Sequence, residues 1–291
     1  MHQIERGIYY EDSFLGVTLG GLVFSHGTIM LDSPLRPEDA RIWRSSLLNQ
    51  RGGANRLLVN LDAHPDRTLG DRALDSTIVT QERTAQIFRN RPTIFKGQSM
   101  ESGAVWETYS DAIGMRWAIP DITFTDQMTF YWGGPQIILE HHPGPAPGST
   151  WVIIPDARVI FVGDTVVKDQ PPFLAQADIP EWIEALELLQ KEYADYVIVS
   201  GRGGLVPAET VHAQREMLET IHNRLEKLAQ TNAPAEATEE LIPDFMPQVR
   251  ISGERQTMFY NRLRFGLYHY FSRRYRSAAP VEETHIEEEE D

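Results

Sequence analysis

The chain has 291 residues, room for about two average domains, and its 41% hydrophobic and 24% charged residues mark a folded globular protein, not a disordered or fibrous one. Acidic residues outnumber basic ones by 42 to 27, and a net charge of −15 repels phosphate backbones and anionic lipid, so neither nucleic acid nor membrane is expected as a partner. With no cysteine, thiol nucleophiles, thiolate zinc sites and disulfides are excluded, and any metal must be held by nitrogen and oxygen. In chain order, the first ten residues lack the pattern of a secretory signal and no stretch is apolar over 18 residues, so a cytoplasmic location is expected. Val17 to Asp32 alternates apolar and small residues around Ser25-His26-Gly27-Thr28 and predicts a β-hairpin. Pro34 to Gln50 predicts a helix, with Glu38 and Asp39 in its first turn and Ile42, Leu47 and Leu48 as its apolar positions. Arg56 to Leu61 predicts a buried strand, followed by the polar loop Asp62 to Asp71.

Thr80 to Gly114 is expected to be mostly helical. From Ile122 onward, alternating segments ending in Val159 to Asp164 predict the hairpins of a second sheet. A helix over Ile179 to Tyr193, a strand over Tyr196 to Ser200, the turn Gly201 to Gly204 and a long helix over Ala208 to Gln230 complete the alternation. The Ala/Pro/Glu-rich stretch Thr231 to Pro247 is a linker candidate, and Glu254 to about Tyr275 predicts an amphipathic helix. Its stripe is Phe259, Leu263, Gly266, Leu267, Tyr270 and Phe271, with Arg262, Arg264, Arg273, Arg274 and Arg276 largely off it. Such a helix serves either as a final α layer or as a homodimer surface or lid. The expected organisation is a main domain over 1–230, a linker and helix over 231–281, and an acidic tail over 282–291 that carries seven carboxylates.

Three polar loops follow apolar strands: Asp62 to Asp71, Gly163-Asp164-Thr165 and Gly201 to Gly204. In layered α/β folds such loops converge at one sheet edge, where a shared pocket forms. Asp62, His64 and Asp164 are of the type that holds a borderline or hard divalent ion, although each acid taken singly also suits a turn. Phosphate-loop, H-E-x-x-H and G-x-S-x-G motifs are all missing from the sequence.

These loops, with Leu31-Asp32-Ser33-Pro34, Pro143 to Thr150 and Val159 to Val167, resemble the metallo-β-lactamase superfamily from about Gly7 to Gln230. The resemblance implies an α+β fold, a four-layer αβ/βα sandwich with a C-terminal helical extension and a site at one edge that usually holds one or two metal ions. His64, Asp66 and Asp164 match motif positions, whereas Asp62, Arg67, Pro145 and Arg202 stand where the family places histidines. A guanidinium keeps its proton and is no ligand, so the position lined by Asp66, Asp164, Arg67 and Arg202 is expected to hold ion pairs in place of metal. His142, just upstream of Pro145, serves the site only if that turn is shifted.

Two functions follow. One is a diverged hydrolase of an ester, lactone, thioester or phosphoester, with Asp62, His64 and Asp164 around a single Zn, Mn or Fe ion, Asp66 as general base, and Arg67 and Arg202 gripping an anionic substrate group. The other is a non-catalytic ligand-binding or assembly protein, its metal-free site closed by Arg67 and Arg202 against Asp66 and Asp164. In both, the expected partner is a small, anionic molecule in the edge pocket, and the C-terminal helix is the candidate homodimer surface.

Overall fold

A computed structural model describes residues 1–97, 102–246 and 253–276. Two sheets lie face to face. The first has seven strands in sequence order: β1 (His2–Glu5), β2 (Ile8–Glu11), β3 (Leu19–Val23), β4 (Gly27–Leu31), β5 (Asn55–Asn60), β6 (Thr77–Gln81) and β7 (Ile122–Phe124). The hairpins β1 to β4 are antiparallel, and β4 to β7 run parallel. The second runs β13 (Gly204–Val206), β12 (Val197–Ser200), β11 (Val159–Phe161), β10 (Thr150–Ile154), β9 (Gln136–His141) and β8 (Gln127–Tyr131). Only β11 and β12 pair in parallel.

Strand alternation builds the layers. Leu57 and Val59 face the space between the sheets with Val152, Ile154, Val159 and Phe161, while Leu58 faces outward. On that outer side, Leu58, Met30 and Ile78 are covered by α1 (Pro37–Leu48) through Ala40, Trp43 and Leu47. Ile42 and Leu48, expected on the buried face, are exposed, because the helix turns its 40, 43, 47 stripe to the sheet. Trp151, Ile153, Ile160 and Ile198 face the other way, under α4 (Ile179–Glu192), α5 (Ala208–Gln230) and α7 (Gln256–Phe271). The result is the four-layer αβ/βα sandwich that the sequence led us to expect.

Several segments differ from expectation. Among its described residues, the region read as mostly helical contains only α3 (Glu82–Asn90) and two 3-10 turns as helical elements. The β-branched run Thr77-Ile78-Val79-Thr80 instead pairs as β6, and Gly97, Gly103 and Gly114 break the remainder with positive φ. β7, expected in the second sheet, closes the first by pairing with β6. Within the linker candidate, a 3-10 run and α6 (Ile242–Phe245) bury Leu241, Ile242 and Phe245 in the outer core. The apolar stripe of α7 packs on its own fold. The acidic stretch 282–291 lies outside the described residues. No described helix is long and apolar enough to cross a membrane.

Candidate functional site

The three polar loops do meet at one edge. β5 delivers Leu61 and Asp62, and Leu61 N donates to Asp32 Oδ1 at 2.8 Å, which ties this strand end to the end of β4. Asp62 Oδ1 accepts from His64 N at 2.8 Å and lies 2.9 Å from His64 Nδ1, an Asx-type closure that turns the imidazole back over the carboxylate. Pro65 then opens a 3-10 turn, Pro65–Arg67, whose last carbonyl accepts from Ser33 N and Ser33 Oγ.

Asp164 sits in the turn after β11, where Gly163 takes a left-handed φ of 55°. The turn is fixed from three sides. Trp182 Nε1 and Gln214 Nε2 donate to Thr165 O at 2.8 and 2.7 Å, and Trp151 Nε1 donates to Thr165 Oγ1 at 2.8 Å. Arg202 follows β12 through Gly201, whose own Cβ position is already crowded: an added carbon would lie 2.8 Å from Arg67 Nη2 and from the carbonyl carbon of Gly163. Thr18 secures the same turn, accepting from Gly203 N and Gly204 N through Oγ1.

Between these loops lies a buried charge network. Arg202 Nη1 and Nη2 grip both oxygens of Asp66, and its Nε donates to both oxygens of Asp164 at 3.0 Å. Arg202 Nη1 also donates to Gly16 O at 2.6 Å. Arg67 Nη2 donates to Asp164 Oδ1, and its Nη1 lies 3.2 Å from Asp62 Oδ2 and 3.3 Å from Asp32 Oδ2. Both guanidiniums are at most 1% exposed. Burial alone would ease loss of their protons, but the facing carboxylates outweigh it and hold both above the ordinary arginine range. Burial likewise opposes ionisation of Asp62 and Asp164. Arg67 and His64 nevertheless lower the first, and Arg202 and Arg67 the second. At Asp32 burial prevails over Arg67 and pushes the carboxyl up to about 7. Asp71 is raised well above the usual range by burial, despite bonds from Ser33 and Asn60.

Of the residues singled out in the sequence, Asp62, His64, Asp66, Arg67, Asp164 and Arg202 are brought together, and His142 is not. His142 stacks on Trp151 with centroids 3.7 Å apart, and its Nε2 meets Glu140 Oε2 at 3.0 Å. Pro145 lines the cavity instead. Asp66, expected as a general base, is fully buried with both oxygens bonded to Arg202 and does not line the cavity. Asp62, His64 and Asp164 each offer one ligand atom within 4.8 Å of the others, the only such group of three among the described residues.

Beside the network opens a cavity of about 160 Å³, with His64, Trp106 and Phe173 on one wall and Arg91 and Arg262 also lining it. The His64 ring lies 5.1 Å from Phe173 and 5.9 Å from Trp106. Arg91, Arg262 and Asp32 were not picked out as site residues in the sequence. For Arg262 a signal existed: Phe259, Arg262, Leu263 and Gly266 follow i, i+3, i+4, i+7, so Arg262 shares the apolar face and is buried with it, contrary to its expected place off the stripe.

Residues 63–202 match the sequence profile of the metallo-beta-lactamase superfamily. No curated protein matches the chain. Among solved structures, a metallo-beta-lactamase from Pontibacter korlensis is 20% identical with a TM-score of 0.57, over 75% of this chain and 97% of that one. The stereoselective inverting sec-alkylsulfatase Pisa1 from Pseudomonas sp. is 14% identical with a TM-score of 0.64. That alignment takes in 94% of this chain but 49% of the alkylsulfatase, so the chain spans about half its length. The DIM-1 metallo-beta-lactamase is 14% identical with a TM-score of 0.56, over 75% and 96% of the two chains. At these identities the likeness is one of fold.

Proposed function

Since residues 63–202 match the metallo-β-lactamase superfamily and the chain has its hydrolase-like fold, we propose that it is a ligand-binding member in which buried arginine–aspartate pairs take the place of a two-metal centre. The observation that carries this is Asp164, which accepts from both Arg67 and Arg202. A carboxylate shared by two guanidiniums already has its charge balanced by groups that cannot become ligands. Arg202 also occupies Asp66 in fork-to-fork geometry. This donor set does not fit a metal ion between Asp66 and Asp164. The open cavity beside the network is then the functional feature, and a small molecule is its occupant.

A second reading, a hydrolase with a single metal ion, is favoured by the Asp62, His64 and Asp164 group. Its position is compromised by Arg67, whose cationic fork contacts both aspartates. Elemental analysis of protein purified without chelator, and again after dialysis against Zn²⁺, Mn²⁺ and Fe²⁺, separates the two. The ligand-binding reading expects far less than one equivalent under every condition. About one equivalent, lost in Asp62→Ala and His64→Ala, overturns it in favour of the hydrolase.

A further inference from the structure

The cavity carries two cations that no carboxylate of the described residues pairs. Arg91 Nη2 donates to Ala63 O at 2.6 Å, and its guanidinium lies 4.7 Å from the Trp117 ring centre and 5.3 Å from that of Phe88. Arg262 Nε donates to Gly103 O at 3.1 Å, and its Nη1 donates to Gln170 Oε1 at 2.8 Å and Pro171 O at 3.1 Å. The same guanidinium lies 4.0 Å from the centre of Phe173 and 5.2 Å from that of Phe259. Every hydrogen-bond acceptor of these two groups among the described residues is neutral. Arg91 Nη1 and Arg262 Nη2 are both buried and have no hydrogen-bond partner among the described residues.

Burying a cation without a counter-charge is unfavourable, and arginine is seldom fully buried unless paired. Burial lowers Arg91 to about 10, and burial together with nearby Arg202 lowers Arg262 to about 9. Both therefore stay cationic at neutral pH. Asp62 acts on Arg91, and Asp66, Asp164 and Glu107 on Arg262, only through space, and no described carboxylate forms an ion pair or hydrogen bond with either guanidinium. Placement of Arg262 is nonetheless built in: a Cβ on Gly103 would lie 2.1 Å from Met258 O and 2.5 Å from Arg262 N, so glycine alone lets α7 seat against that loop.

Aromatic and aliphatic side chains make up much of the remaining wall, with His64, Thr84, Ser102 and Gln176 as its other polar members. Trp106 and Phe173 stack with centroids 5.5 Å apart, and Ile87 and Phe265 also line the space. A volume of about 160 Å³ is close to that of cavities known to accept a single benzene ring, ~150 Å³. We propose that the cavity binds a small organic oxyanion, a carboxylate or sulfo head group on an apolar body of about one ring, with Arg91 and Arg262 as its anion anchors. This rests on the ligand-binding reading above and names the ligand class for it.

The test is calorimetric titration of the full chain, its metal content measured beforehand, with phenylacetate, phenylmethanesulfonate and the neutral isostere phenylacetamide. Saturable binding of at least one anion, about tenfold or more tighter than the amide, and weakened about tenfold in Arg91→Gln, supports the proposal. The tighter of the two anions identifies the head group. Arg262→Gln also removes three structural hydrogen bonds, so the comparison of acid with amide in the unaltered chain and Arg262→Lys, which keeps the charge but loses the fork, carry the test if that variant does not fold. Equal binding of amide and anions, no saturable binding, or unchanged anion affinity in Arg91→Gln overturns it. The titration is repeated with chelator present. A metal-bearing chain whose anion selectivity survives chelation overturns the metal-free reading and leaves the anchors supported, whereas selectivity that vanishes on chelation overturns the anchors.

Discussion

Arg202 and Asp66 are 136 positions apart in the chain, yet the guanidinium fork meets both carboxylate oxygens with neither residue open to solvent. Removing one partner of such a pair strands the other charge in a medium that cannot solvate it. Arg202→Gln is expected to lose about 3–5 kcal/mol of stability, and the double variant Arg202→Gln/Asp66→Asn less than the sum of its two single changes. Urea unfolding of the four proteins checks this. Strict additivity would show that the pair is not coupled.

The same geometry predicts a gain of function in binding. Arg67→His/Arg202→His places two imidazoles beside Asp66 and Asp164, a nitrogen and oxygen set that suits Zn²⁺. The folded double variant should take up about one equivalent of zinc that the unaltered chain does not. Folded variant protein that remains metal-free after dialysis would show that more than the two arginines keeps the ion out.

Asp32 sets an alkaline limit. Its carboxyl stands at about 7 in the folded chain, because burial outweighs Arg67, against roughly 4 when unfolded. The folded state thus holds this proton more tightly, and the resulting stability is complete below about pH 4 and lost as pH rises through about 7. Asp62 and Asp164 are shifted down, so their contribution runs the other way, present above about pH 4 and lost on acidification. Asp32→Asn should remove part of the decline between about pH 4 and about pH 7 while keeping the acid limb. Parallel stability curves for the two proteins would exclude Asp32 as its source.

Gly201 is a steric requirement of the network. An added methyl would press on Arg67 Nη2 and on the Gly163 backbone at once, so Gly201→Ala should cost about 1–3 kcal/mol by displacing the turn that carries Arg202. Thermal unfolding of this variant beside Gly253→Ala, where no atom of the described residues lies within 4 Å of the added carbon, measures the effect with a matched control. Equal melting temperatures would mean that the turn yields without strain.

Local chemistry made most of the fold legible. The 17–32 hairpin, the strand ends at Leu61 and Val162 and the helices over 179–192 and 208–230 follow from alternation, helical spacing and turn residues, which act over a few positions. β6 was missed because its β-branched run is short and merges into α3 without a turn signal. The His64, Asp66 and Asp164 pattern, with arginines at two motif positions, was also readable in one dimension.

By itself, then, the sequence determined the alternating strands and helices and the types of residue that gather at one edge, since period and turn chemistry are properties of neighbouring positions, while the sandwich followed from the family resemblance. Which charge meets which was decided only by the tertiary structure. Arg202 takes Asp66 and Asp164, Arg67 reaches Asp32 as well as Asp62, and Arg262 turns inward with no carboxylate of the described residues paired to it. Those pairings join residues far apart in sequence, and their energies depend on separation and on the exclusion of water, quantities that exist only once the chain has packed.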